Sequence, residues 1–215
     1  MWFHKKTLTT LLMAILTIAF VLPTNSLAAP LLQRGSENGD VWDLQYRLQI
    51  LGLYQDSLDG SYGGNTYQAV RKFQKAYGLT VDGIAGNQTW GKLKKVSVNR
   101  SEMQMLAQLV YSEARGEVFE GQVAVAAVAM NRVQSETFPN TLSGVIFEPY
   151  AFTAIDDGQF WFTPNKSAYK AAWEAVRGWD PTNGALYYFN PDTATSSWIW
   201  SRPQIKRIGK HIFAR

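Results

Sequence analysis

Glu113 is the residue best placed by its sequence to do chemistry in this chain of 215 residues. It lies in the stretch SEMQMLAQLVYSEARG, Ser101 to Gly116. Ser101 and Gln104 have capping-box spacing and the stretch closes on a glycine, which predicts one helix. At about 100° per residue, Glu113 falls roughly 20° from Leu106, 40° from Leu109 and 60° from Val110, so it shares the apolar face. A carboxyl group in that position is either paired with a cation or shielded from water. Desolvation favours the protonated form of a carboxyl group, the form a general acid needs. The competing reading is a structural partner of Arg115 or another arginine.

Little other catalytic chemistry is available. There is no cysteine, hence no thiolate nucleophile and no Cys-ligated zinc. The two histidines are His4 and His211. His4 falls in a leader: Lys5 and Lys6 precede an apolar run from Leu8 to Leu22, and Ser26-Leu27-Ala28 offers a small-x-small cleavage site. Residues 1–28 therefore read as a secretory signal, with a retained anchor as the alternative, since the run is marginally short for a membrane span. Without them His211 is the one histidine left, which excludes paired-His zinc sites and leaves a Ser-His-Asp arrangement dependent on it. As a residue of a strand pattern, His211 reads as satisfied by a backbone group. No metal and no cofactor is expected.

The same removal takes two lysines and no acid, lowering the formal charge from +4 to +2. Such a weak excess, without a basic helix, argues against nucleic acid as a partner. Arg202 to Arg215 is locally basic and reads as a solvated edge strand or the wall of an anion-rich groove.

The elements around these residues divide the chain in two. Asp59-Gly60-Ser61-Tyr62-Gly63-Gly64-Asn65-Thr66 and Asp82-Gly83-Ile84-Ala85-Gly86-Asn87-Gln88-Thr89 repeat D-G-x-x-G-x-x-T. In each copy Asp-Gly makes a tight turn, the second glycine relieves a strained backbone and the threonine starts a helix. Val41, Leu44, Leu48 and Leu51 precede the first turn, and Ala69, Val70, Phe73 and Gln74 follow it, which predicts a compact three-helix unit. These positions, with Gln45, Gly52, Tyr54, Gly78-Leu79, Trp90 and Leu93, resemble the peptidoglycan-binding domain found at the ends of many wall-degrading enzymes. The resemblance implies such a domain over residues 29–93, with Tyr54, Tyr62 and Asn65 as candidate contacts near the turns. Lys94 to Arg100 lacks periodicity and reads as a linker of about seven residues, able to span at most roughly 25 Å.

In the second domain, residues 101–215, Glu120 to Arg132 predicts a helix with small apolar residues on nearly every side, suited to a domain centre. Ser167 to Gly178 predicts an amphipathic helix through Tyr169, Ala172, Trp173 and Val176. Ala185 to Phe189 and Ile205 to Phe213 read as two strands joined by the Trp-rich turn Asn190 to Pro203. The class is α+β, a mainly helical lysozyme-like domain with a small β-hairpin.

The segments YSEARGE (Tyr111 to Glu117), AVAAVAMNRV (Ala124 to Val133), Phe152-Thr153 and Phe189 to Phe213 resemble the catalytic domain of the spore cortex-lytic enzymes. Signal, wall-binding domain and catalytic domain occur in the order of the SleB type, whereas the CwlJ type lacks the N-terminal half. Lys94 to Arg100 is shorter than the linkers of that family. The resemblance implies an exported lytic transglycosylase that cuts spore cortex peptidoglycan at muramic δ-lactam residues during germination, at the boundary of cortex and inner membrane. It implies the glutamate matching Glu113 as its acid, and a membrane-associated partner of the YpeB kind.

Hydrolytic glycosidases generally need two carboxyls. A lytic transglycosylase can use one, because the sugar's own C6 hydroxyl attacks the anomeric carbon and the same residue donates and then accepts a proton. Glu117, Glu120, Glu148, Asp156, Asp157, Glu174 and Asp192 lie near polar or turn sequence and read as solvated; Asp156 or Asp157 becomes the second carboxylate if the chemistry is hydrolysis. Candidate sugar contacts are Phe152, Thr153, Tyr188, Asn190, Thr195, Ser196, Trp198 and Trp200. The two tryptophans share a face on a strand but not on a turn. Alternatives to transglycosylation are a hydrolytic muramidase, an N-acetylmuramoyl-L-alanine amidase, disfavoured by the single histidine, and a non-catalytic wall-binding protein.

Overall fold

Two buried glutamines organise the N-terminal half of the protein, whose computed structural model describes residues 29–215. The signal expected in residues 1–28 lies outside the described residues. Helices α1 (Gly39–Ile50), α2 (Gly64–Ala76) and α3 (Asn87–Val96) are joined by the two Asp-Gly turns. Gln45 Nε2 lies within hydrogen-bonding distance of Asp59 Oδ1 (2.7 Å), the Ser61 carbonyl (3.0 Å) and Thr66 Oγ1 (3.0 Å), and its Oε1 accepts from Gly60 N–H (3.0 Å). Gln74 repeats the device with Asp82 (2.8 Å), the Ile84 carbonyl (3.0 Å), Thr89 (3.1 Å) and Gly83 N–H (2.9 Å). Each unpaired buried partner would cost about 1–3 kcal/mol, so the amide holds its turn in one geometry.

The backbone strain sits on the first glycine of each repeat, not on the second as the pattern suggested. Gly60 and Gly83 have φ of +71° and +72°. Gly63 and Gly86, at −84° and −97°, are ordinary N-caps of α2 and α3. Val41, Leu44, Leu48, Val70, Phe73, Trp90 and Leu93 fill the core between the three helices.

No loose linker follows. Helix α3 runs through Val96, and Ser97 and Val98 after it are buried. Arg47 of α1, only 2% exposed, donates through Nη1 to the Ser97 carbonyl (3.0 Å), through Nη2 to Glu102 (2.9 Å) and through Nε to Asp43 (3.1 Å). Ile50 enters the core of the C-terminal half and Tyr46 packs against it. The segment expected as a spacer is therefore consumed by helix and by a buried joint.

Helix α4 (Arg100–Ala114) is capped two residues earlier than expected, by Asn99 and Glu102 in place of Ser101 and Gln104. Asn99 Oδ1 accepts from Glu102 N–H (2.8 Å) and Glu102 Oε2 from Asn99 N–H (2.7 Å). Asn and Ser cap about equally well, so the bond from Arg47 to Glu102 decides between them. Met103, Leu106, Leu109 and Val110 are buried. At about 1.5–3 kcal/mol for each large side chain, they fix the rotation of α4 and with it the direction of Glu113.

Helix α5 (Phe119–Gln134) is the centre of this half, buried from Gly121 through Met130. Its alanines and valines let α4 and α8 (Lys166–Val176) approach closely. In α8 the buried face is Ala168, Ala171, Ala172, Ala175 and Val176, and Tyr169 turns to solvent, off the stripe expected for it. Between them run the short helices α6 (Leu142–Ile146) and α7 (Thr153–Asp156) and a 3-10 turn (Gln159–Trp161).

The sheet has three antiparallel strands, β1 (Tyr187–Phe189), β2 (Gln204–Ile208) and β3 (His211–Ala214), in the order β1-β3-β2. A third short α-helix, α9 (Ser197–Trp200), lies between β1 and β2. The single strand expected over Ile205 to Phe213 is thus a hairpin, reversed at Gly209 with φ +57°. A Cβ at Gly209 would collide with the Glu117 carboxylate, which accepts from Lys210 N–H (3.0 Å) and anchors the hairpin to the end of α4. Tyr188 pairs with Phe213 across β1 and β3, and His211 lies two residues before Phe213, on the same face.

Candidate active site

Helix α4, the start of α7 and the sheet surround a cavity of about 810 Å³, and Glu113 is in its wall. The half-buried carboxyl is held from two sides. Oε1 accepts from Ala154 N–H at 2.8 Å, with Thr153 Oγ1 at 3.4 Å, and Oε2 accepts from the Tyr188 hydroxyl at 3.0 Å. Ala154 is in the first turn of α7, where N–H groups lack helical acceptors, so the bond to Glu113 also satisfies the helix. Burial, and then the neighbouring Glu113, push the Tyr188 phenol well above its ordinary range, which keeps its proton in place as a donor.

Glu113 is not the partner of an arginine. Arg115 is exposed and bonds Gln159 and the Ser112 carbonyl. The ion pairs among the described residues are Arg47–Asp43, Arg47–Glu102 and Lys206–Glu120. Glu117, one turn beyond, points away to the Gly209 turn.

Seven expected sugar contacts line the cavity beside Glu113: Phe152, Thr153, Tyr188, Asn190, Thr195, Ser196 and Trp198. Trp200 does not. Both tryptophans are on α9, where residues two apart point to nearly opposite sides. Trp198 packs edge-on against Tyr187 (5.2 Å between centroids), while Trp200 packs on Phe189 (4.8 Å) and donates from Nε1 to the Ala194 carbonyl. The expected second carboxylates, Asp156 and Asp157, are also outside the cavity wall, Asp157 being bonded to Gln159. The carboxylate that joins Glu113 there is Glu148.

Several lining residues escaped the sequence reading. His211, expected to be satisfied by a backbone group, instead has its Nδ1 buried with no partner among the described residues. Its ring stands edge-on to Tyr188 at 5.1 Å, and burial lowers its pKa from 6.5. Arg132 ends the stretch expected as a helix at the domain centre. Tyr150, at the cavity rim, is 93% exposed and has φ +63°, a conformation costly for a bulky residue. The signals that could have found them were weak: a charged residue closing an otherwise apolar helix, and a tyrosine beside Pro149.

In the N-terminal half, Tyr62 is 1% exposed and donates its hydroxyl to the Gly83 carbonyl (2.8 Å), so it is a core residue and no polymer can reach it. Tyr54 is mostly buried, its hydroxyl spent on the Ser57 carbonyl (2.9 Å), though its edge lines a small pocket of about 220 Å³. Asn65 is exposed in the same pocket and bonds Asp56. Among the described residues no group of three or more His, Asp or Glu side chains is arranged to hold a metal ion.

Comparison with known proteins follows the same division. Residues 37–93 match the peptidoglycan binding domain family, and residues 116–214 match the Cell Wall Hydrolase family, beginning just after Glu113. The chain is 48% identical over 222 residues to a spore cortex-lytic enzyme of Bacillus cereus, covering 86% of each protein. The crystal structure of the catalytic domain of the Bacillus cereus SleB protein is 64% identical, with a TM-score of 0.53, over 55% of this chain and 93% of that one. The catalytic domain of the germination-specific lytic transglycosylase SleB from Bacillus anthracis is 65% identical, with the same TM-score, over 55% and 97%.

Proposed function

This chain belongs to the spore cortex-lytic enzymes, a premise from which we propose that it is a lytic transglycosylase cutting cortex glycan at muramic δ-lactam residues during germination, with Glu113 as its acid and base. Membership carries the coarser statement: a cell wall hydrolase domain behind a peptidoglycan-binding domain, acting on peptidoglycan glycan. The finer reading rests on one observation. A carboxyl group that is in no ion pair among the described residues, clamped by Ala154 and Tyr188, faces a cavity of about 810 Å³.

In the proposed reaction the Glu113 proton passes to the glycosidic oxygen as the bond from that oxygen to the anomeric carbon breaks. The C6 hydroxyl of the same sugar then bonds the anomeric carbon and returns its proton to Glu113. A 1,6-anhydro end results and no water is consumed. Positioned proton transfer of this kind contributes about 10²–10⁴-fold. The Tyr188 hydroxyl and Ala154 N–H meet the negative charge left on Glu113 after the first transfer, and they hold both oxygens in one orientation.

A hydrolytic muramidase is the second reading, because Glu148 lines the same cavity and could hold a water. Glu113→Gln separates an enzyme from a wall-binding protein: cortex lysis is expected to stop while the melting temperature stays near the parent's. Unchanged lysis by the folded variant would overturn the assignment. Glu148→Gln is expected to leave lysis intact for a transglycosylase and to abolish it for a hydrolase using that residue. Family membership is also the ground for proposing cortical localisation and a membrane-associated partner of the YpeB kind. Unchanged protein levels in dormant spores lacking that partner would contradict it.

A further inference from the structure

Arg132 is 6% exposed, yet it is the cationic side chain in the wall of the Glu113 cavity. It projects from α5, and its Nε donates to the Leu186 carbonyl at 2.7 Å. Three aromatic rings enclose the guanidinium, with Phe152, Phe138 and Tyr187 centroids 4.9, 5.1 and 5.7 Å from Cζ. Among the described residues no ion pair includes it. Its two Nη groups have no protein acceptor among the described residues either, and the side chain lines the cavity.

A guanidinium withdrawn from water is costly unless its remaining N–H groups find acceptors, and cation–π contacts offset only part of that cost. Burial pulls against the charge, with Tyr188, Tyr187, Glu148 and Glu113 easing it from a distance. The free edge is a planar fork shaped for a pair of oxygen lone pairs. Its place beside the reacting group is set by Phe152, whose ring lies under Arg132 and 6.4 Å from that of Tyr188, the residue bonded to Glu113.

Resting on the glycan reading above, we propose that Arg132 is a specificity-determining residue that receives the acyl oxygen on the C3 lactyl arm of the muramyl sugar at the cleavage point. That oxygen is what a muramyl residue has and a glucosaminyl residue lacks, so a fork built for it sets which of the two alternating linkages is placed on Glu113. The oxygen is either the neutral carbonyl of a δ-lactam or the carboxylate of an open lactyl group. The two share the acceptor chemistry and differ in charge.

Two measurements test this. In the unmodified enzyme, N-acetylmuramic acid and the monosaccharide muramic δ-lactam are compared with N-acetylglucosamine as competitors of cortex turnover. At least one muramyl sugar is expected to inhibit at concentrations where N-acetylglucosamine does not, and the stronger of the two identifies the oxygen. Inhibition by neither beyond that of N-acetylglucosamine would overturn the proposal.

The second measures binding in the Glu113→Gln background, which separates this inference from the catalytic one. Adding Arg132→Gln is expected to weaken binding of cortex tetrasaccharides at least tenfold and to leave chitotetraose unchanged, with Arg132→Lys intermediate because it keeps the charge and loses the fork. Equal losses for both oligosaccharides, or no loss, would refute it. Residual lysis by Glu113→Gln would instead refute the role of Glu113 and leave the Arg132 result standing. Should Arg132→Gln lower the melting temperature through its lost bond to Leu186, the competition experiment and Arg132→Lys decide the matter.

Discussion

Tyr188→Phe removes one oxygen atom and probes how the Glu113 carboxyl is held. The hydroxyl donates to Glu113 Oε2 at 3.0 Å. The phenylalanine ring would keep the contacts with Phe152 (6.4 Å), Phe213 (5.9 Å) and His211 (5.1 Å). Glu113 becomes negative when it gives up its proton, and a hydrogen bond to a charged group is worth about 1.5–3 kcal/mol. At about 1.4 kcal/mol per tenfold, the variant should lose roughly 10- to 150-fold in kcat. KM should change little, since the lost bond strengthens in the transition state and not on binding. The assay is the initial rate of muropeptide release from purified cortex across substrate concentrations, beside a thermal melt. A rate within twofold of the parent would refute the positioning role. So would a fall in melting temperature large enough to explain the lost rate.

Two other perturbations separate strain and titration from chemistry. Tyr150→Gly relieves a left-handed tyrosine at the cavity rim, where such strain costs about 1–3 kcal/mol, partly offset by the greater freedom of glycine in the unfolded chain. The melting temperature should rise by a few degrees while KM for cortex increases several-fold through loss of an exposed ring; a lower melting temperature with unchanged KM would contradict this. His211 has its pKa lowered from 6.5 by burial, with Glu117 and Glu113 opposing and Lys210 assisting. The unfolded chain therefore takes up this proton first as pH falls, so the stability tied to a neutral His211 is present above about pH 6.5 and is lost below it. In melts from pH 7.5 downward, His211→Gln should flatten that decline, and an identical slope in parent and variant would count against it.

The inward placement of Glu113 could be read from periodicity alone. The 3.6-residue pattern of Leu106, Leu109 and Val110 places Glu113 on the inner side of α4, and the structure keeps it there, in the wall of a cavity and in no ion pair among the described residues. The α+β class and the small-residue central helix α5 follow from equally local signals. What failed to show was set by contacts distant in sequence. Asn99 wins the cap of α4 because Glu102 is also bonded by Arg47, 55 residues earlier. The Gly209 reversal hides inside a continuous run of strand-forming residues and is enforced by Glu117 on another element. Trp198 and Trp200 diverge because four residues coil into α9, too short a turn for any periodic signal. Arg132 and His211 sit in segments that carry the family resemblance, yet no spacing sets them apart there, and the closing of α5 and β3 around one cavity is what brings them near Glu113.

The central claim is that the glycan supplies its own nucleophile to a bond protonated by Glu113. Digesting cortex in water enriched in heavy oxygen tests it directly by mass spectrometry of the released ends. The expected products carry no label and are one water lighter than reducing ends. Labelled reducing ends would contradict transglycosylation and place a water, held by a residue such as Glu148, at the anomeric carbon.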